Sequence, residues 1–147
     1  MPKITGILID VETGKAGAKT IDRNLESYYK HLNCETIDIV EKKIGSKIYN
    51  IICDDEALLK SPAPDPSALS NLFPYKYSLF GNLFVTGPAD DEGNLTSIPR
   101  SEIKSIMRNH IRRDYFHGYG SRGAGPILIA LDPTDPRSGA TCLDGIF

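Results

Sequence analysis

At 147 residues the chain has the length of one ordinary domain, enough to bury a continuous core without disulfides or metal ions. Its net charge of −2, from 17 basic and 19 acidic side chains, argues against a face that wraps duplex nucleic acid and equally against an acidic mimic of DNA. Cys34, Cys53 and Cys142 are widely spaced and form no CxxC pair, so they are expected as buried free thiols in a reducing compartment rather than as a zinc or redox site.

Ile4 to Asp10 reads as a strand, Glu12 to Lys15 as a turn and Ala16 to Ile21 as a returning strand. Asp22 is placed to cap a helix running to about Leu32, in which Leu25, Tyr28, Tyr29 and Leu32 make one apolar face and Asn33 the C-terminal cap. Thr36 to Ile44 and Lys47 to Cys53 form a second hairpin around Gly45-Ser46. The three prolines of Ser61 to Pro66 make a stiff surface loop. Leu79 to Thr86 reads as one strand and Asp90 to Asn94 as an acidic turn. Pro99 opens a helix whose buried face is Ile103, Ile106, Met107 and Ile111, and Pro126 to Leu131 has the continuous apolar character of a buried strand, broken by Asp132-Pro133. Leu143 to Phe147 is expected to dock. The expected fold is α+β: an antiparallel sheet of about five or six strands with two covering helices and an appended C-terminal loop and strand, all in a single domain.

No apolar run approaches the roughly 20 residues that cross a bilayer. Met1-Pro2-Lys3 leads directly into strand-like sequence instead of a leader, so the expected location is the cytoplasm of the host cell. Basic residues outnumber acidic ones only in the last third, with 7 against 5 in residues 100–147 and 10 against 14 before it.

The order TIDRNLESYYKHL, ETIDIV, YNIICDDEALLK, PSAL, GNLFVTG, DDEGNLTSI and EIKSIM resembles a family of small proteins of unknown function encoded by phages, plasmids and conjugative elements, often near anti-restriction genes. The resemblance covers about residues 20–111. IICDDEALLK followed by PSAL and GNLFVTG are its most specific parts. It brings no catalytic residues. Pro99 stands where the family offers a helix-capping hydroxyl or acid, a role left here to Ser97, and residues 112–147 look like an addition to the usual domain.

Two stretches could carry chemistry. Asp54, Asp55 and Glu56 could offer oxygens to a hard cation, alone or with Asp90 to Glu92 as a metal-dependent phosphodiesterase, but neighbours on an extended chain point apart, so a strand-ending turn is the competing reading. Cys53 is a poor nucleophile there, because neighbouring acids raise a thiol's pKa. The second stretch, His110 to Pro126, interleaves Arg112, Arg113 and Arg122 with Tyr115, His117 and Tyr119 among glycines. Arginines fork onto phosphates and aromatic rings stack on bases, so these six residues are the candidate ligand-binding set. Structurally the same residues could end a helix and pack a turn. His31 and His110 read as helix-surface residues.

With no convergent catalytic set, the expectation is a non-enzymatic phage or mobile-element accessory protein, without cofactor or metal, that counteracts host defence by binding. Its expected partner is a phosphate-bearing nucleotide signal, sequestered by a homo-oligomer. The alternative is a host defence effector or nuclease, occluded through apolar residues Leu72, Phe73, Tyr75 and Tyr77 of the proline loop.

Overall fold

The computed structural model describes residues 2–72, 75–115 and 124–133, with the backbone alone at 70–72, 75, 76 and 115. β1 (Lys3–Asp10) and β2 (Lys15–Asp22) form the first hairpin. Its turn is closed by Gly14 at φ 72° and by the Asp10 carboxylate, which accepts from the amides of Glu12 and Thr13. The first helix, α1 (Leu25–Leu32), is capped by Asn24 and not by Asp22: Asn24 Oδ1 accepts from Ser27 N at 2.8 Å. Asp22 is instead held in β2, opposite Lys3 and ion-paired with it at 2.6 Å, so the strand outlasts the expected helix start. Asn33 closes α1 in the left-handed region, as expected.

β3 (Ile37–Ile44) and β4 (Lys47–Asp54) turn at Gly45, with φ 66°. A single 3₁₀ turn, Ala57–Leu59, and the proline loop lead to β5 (Pro66–Leu72), which starts on a proline where no ladder bond is lost. β6 (Tyr75–Phe80), β7 (Leu83–Thr86), α2 (Arg100–Asn109), β8 (Ile111–Tyr115) and β9 (Ala124–Ile129) complete the described chain.

The fold is α+β, with a five-stranded antiparallel sheet in the order β2-β1-β7-β4-β3. The remaining strands make a second sheet, β6-β5-β9-β8, in which β5 and β9 run parallel. Leu79 to Thr86 is therefore not one strand. Gly81 at φ 85° turns the chain between β6 and β7, and the two halves join different sheets.

Alternation along the central strands explains the core. Ile7, Ile9, Ile51, Leu83 and Val85 face α2 and the second sheet, meeting Ile103, Ile106, Ala68 and Leu128. Ile4, Ile52 and Phe84 face the other way, under Tyr28 and Leu32 of α1. Leu25 lies outside this contact and is exposed, contrary to the expected helix face. A third cluster, Leu69, Ile127, Ile129 and Leu131, lies on the far face of the second sheet with Tyr77 packed against it.

The last helix is shorter than its spacing predicts. It ends at Asn109, and Ile111 enters the same core from β8, so a strand residue continues the helical apolar pattern. Ser97 does not cap α2: its hydroxyl accepts from Thr5 N at 2.9 Å, and Pro99 starts the helix without a side-chain cap. Glu102 of the first turn ties α2 to the first sheet, accepting from the Tyr49 hydroxyl at 2.7 Å and pairing with Lys47 at 3.2 Å. Burial, then Glu102, pushes the Tyr49 phenol up, while the Tyr49 hydrogen bond and Lys47 hold the Glu102 carboxyl below its ordinary 4.5. A lowered carboxyl contributes stability above its unfolded pKa and loses it as pH falls through the folded value. Glu102→Gln should therefore cost about 1 kcal/mol at pH 7 in thermal melts, a difference that shrinks as the pH falls below the ordinary carboxyl value and through the lower folded one.

The appended strand is not peripheral. β9 is interior to the second sheet, between β5 and β8, and Leu128 and Ala130 enter the main core. Just after it, Leu131 exchanges two backbone hydrogen bonds with Lys43 of β3, at 2.8 and 2.9 Å, joining the sheets. Pro126 precedes Leu128, the residue of β9 that pairs with both β5 and β8, and its missing N–H is tolerated there.

Candidate functional site

Arg112, Arg113 and Tyr115 lie on β8, not on a helix end or in a loop; His117, Tyr119 and Arg122 lie outside the described residues, as do Cys142 and Leu143 to Phe147. The strand separates the two arginines. Arg112 is opposite Ile127 in the ladder and shares its face, whereas Arg113 is opposite Pro126 on the other face and exposed. Asp114 is 3.9 Å from the Arg112 guanidinium and accepts from the Tyr77 hydroxyl at 2.9 Å. Arg112 is thus engaged with an acid on the third cluster's side, and the two arginines do not converge on one phosphate.

His110 is the C-terminal cap residue of α2; its carbonyl accepts from Ile129 N, and its ring sits against Gly45, where a Cβ would lie 2.9 Å from Nε2. His31 is part-buried on α1, and its carbonyl accepts from Asn82.

The acidic stretch after β4 is built as a turn. Asp54 Oδ1 accepts from Glu56 N at 2.9 Å and Oδ2 meets Lys60 Nζ at 2.6 Å; the Asp54 side chain is only 5% exposed. Lys60 also donates to Asn33 O at 3.2 Å, fastening the turn to the C-terminus of α1. Its hydrogen bond to Asp54 raises the Lys60 pKa. Cys53 is buried, and burial followed by Asp38, Asp54 and Asp55 pushes its thiol up to about 12, which leaves no thiolate near neutral pH. Asp90 is similarly occupied, accepting from the amides of Glu92 and Asn94. Among the described residues no group of three or more His, Cys, Asp or Glu side chains is arranged to hold a metal ion. No described helix is long and apolar enough to cross a membrane.

Between the C-terminus of α1 and this turn lies a cleft of about 340 Å³, lined by residues including Tyr29, Lys30, Glu35, Thr36, Glu56 and Lys60. Between Glu56 and Lys60 the 3₁₀ turn buries Ala57 and leaves Leu58 64% and Leu59 81% exposed. These neighbouring leucines were missed in the sequence because ALLK reads as the apolar continuation of a turn; only the burial of Ala57 shows which way it faces. Of the residues expected to make an apolar patch in the proline loop, the described ones lie on strands. Leu72 ends β5, Tyr75 begins β6, and Tyr77 packs against the third cluster with its hydroxyl on Asp114; Phe73 lies outside the described residues.

Residues 4–111 match the model of a family described as a domain of unknown function, DUF3846. The match takes in β1 and β2 as well as the stretch from residue 20, and ends at the first residue of β8. No curated protein and no solved structure matches the chain.

Proposed function

The chain belongs to the DUF3846 family, and from its own surface we propose that it is a non-catalytic accessory protein of a phage or other mobile element that counteracts host defence by occluding a defence effector or nuclease. The observation that carries this reading is the pair of exposed leucines, Leu58 and Leu59, on the turn of the IICDDEALLK signature. Exposed large apolar side chains beside a polar cleft suit the anchor and rim of a protein interface. The Asp54 carboxylate of the same stretch is committed to holding the turn and the Cys53 thiol is buried, which fits a binding role better than turnover.

The resemblance to mobile-element proteins supplies the setting. Plating of phage on cells carrying a panel of nuclease-based defences tests it. The chain should restore plating against at least one defence, and Leu58→Ser with Leu59→Ser should abolish that effect while leaving the far-ultraviolet spectrum and melting temperature unchanged. Equal protection by parent and variant would overturn the reading.

Sequestration of a phosphate-bearing nucleotide signal is the second reading, favoured by one observation: Arg113 is exposed on β8, an edge strand. In this reading Arg113 holds phosphate. Calorimetry with cyclic and linear nucleotides, in parent and Arg113→Ala protein, distinguishes it from protein occlusion.

A further inference from the structure

Resting on the protein-occlusion reading, we propose that the cleft beside Leu58 and Leu59 receives a basic side chain of the partner protein, with the two leucines packing on apolar residues that flank it. The cleft has the volume of a small-ligand site and a mixed lining that includes five charged side chains, which suits a polar group with an aliphatic stem. Its floor charge is already neutralised, since Asp54 and Lys60 pair at 2.6 Å. The remaining charged lining residues are Lys30, Glu35 and Glu56, and both glutamates are exposed and take part in no ion pair among the described residues. Two acids against one base leave the opening net negative. The C-terminus of α1 also points its negative end at the cleft, through Asn33. Cys34 on the wall adds no cation and stays protonated, because burial and Asp54 raise its thiol.

An anionic ligand would meet this charge unfavourably, whereas a lysine or arginine could bond to Glu35 and Glu56 as it enters. The apolar lip sets the rest of the recognition: a basic residue flanked by leucine-like neighbours. The rim position of the glutamates makes charge a matter of selection, while the leucines supply the buried area.

Nuclear magnetic resonance titration of the full ¹⁵N-labelled chain reads this directly, with acetyl-Leu-Arg-Leu-amide and acetyl-Leu-Glu-Leu-amide as probes. The arginine peptide should move the amides of Thr36, Glu56 and Lys60 in a saturable way, and the glutamate peptide should bind at least about tenfold more weakly. Glu35→Gln with Glu56→Gln, both at exposed positions, should erase that preference without unfolding the chain. Equal binding of the two peptides, or no shift at the cleft with either up to about 10 mM, would overturn the assignment of a basic side chain. Either result leaves the occlusion reading standing on its plating assay; loss of that assay's dependence on the leucines would remove the reading even if the arginine peptide binds.

Discussion

Alanine at position 6 should destabilise the protein by about 3 kcal/mol, or prevent it from folding, although the change adds one methyl group. Gly6 lies in β1 where that strand is flanked by β2 and β7, and a Cβ there would sit 2.1 Å from the carbonyl oxygen of Val85 and 3.0 Å from the Phe84 ring. The first neighbour is backbone of the fully buried β7, so it cannot rotate away; β1 and β7 would have to separate and give up contacts of Ile7 and Val85 in the main core. Gly17→Ala is the matched control, since nothing lies within 4 Å of its added Cβ on the edge strand β2. Urea unfolding should show Gly17→Ala within about 0.5 kcal/mol of the parent. A Gly6→Ala midpoint equally close to the parent's would refute the close approach of β1 and β7.

Asn82→Ala should cost about 3 kcal/mol by the same measurement, an unusually large effect for a polar residue. Asn82 is buried at the entrance to β7, accepts from Val11 N at 2.9 Å and donates to His31 O at 3.1 Å. It therefore fastens the end of β1 and the last turn of α1 to the point where the chain passes from one sheet to the other. Alanine leaves both backbone groups without this partner in a site poor in water. Asn109→Ala is the contrast: its exposed amide donates to Ser105 at 3.4 Å, and its loss should be worth less than about 0.5 kcal/mol. If both asparagines proved equally dispensable, the buried bridge at Asn82 would carry no stability.

What was legible in the chain follows from range. Both early hairpins, α1 with its Asn33 cap, the face of α2 and the acidic turn rest on signals a few residues apart, and they stand within a residue or three of their expected ends. Errors arose where distant partners decide. Leu79 to Thr86 carries a local break at Gly81-Asn82 that was passed over, but nothing local says that the two halves join different sheets. Ile111 keeps the helical spacing of Ile103 and Ile106 because it fills the same core from a strand, so periodicity carried the helix two residues too far. Asp22 and Asn24 are both good caps, and only the pairing of Asp22 with Lys3 chooses between them.

The candidate site was less legible. Arg112 and Arg113 were grouped with the aromatics of one stretch, but they are neighbours on a strand, which sends them to opposite faces. The acids after Cys53 were correctly weighed as a turn, but the partner that makes Asp54 a fixed part of it, Lys60, lies six residues on and joins α1 as well. Leu58 and Leu59 carry no polar chemistry, and only the buried Ala57 beside them gives them a direction.

The position of β9 bears on how the protein is made. Lys43 waits for Leu131, and Ala68 for Leu128, so the main core and the seam between the sheets cannot close while the ribosome is still adding the residues that follow β8. The nascent chain can settle the hairpins and α1 as they emerge, but it holds one face of its first sheet open to solvent until β9 arrives. Closure of the main core is thus tied to the arrival of β9, and the interval before it is when chaperones and proteases have their chance.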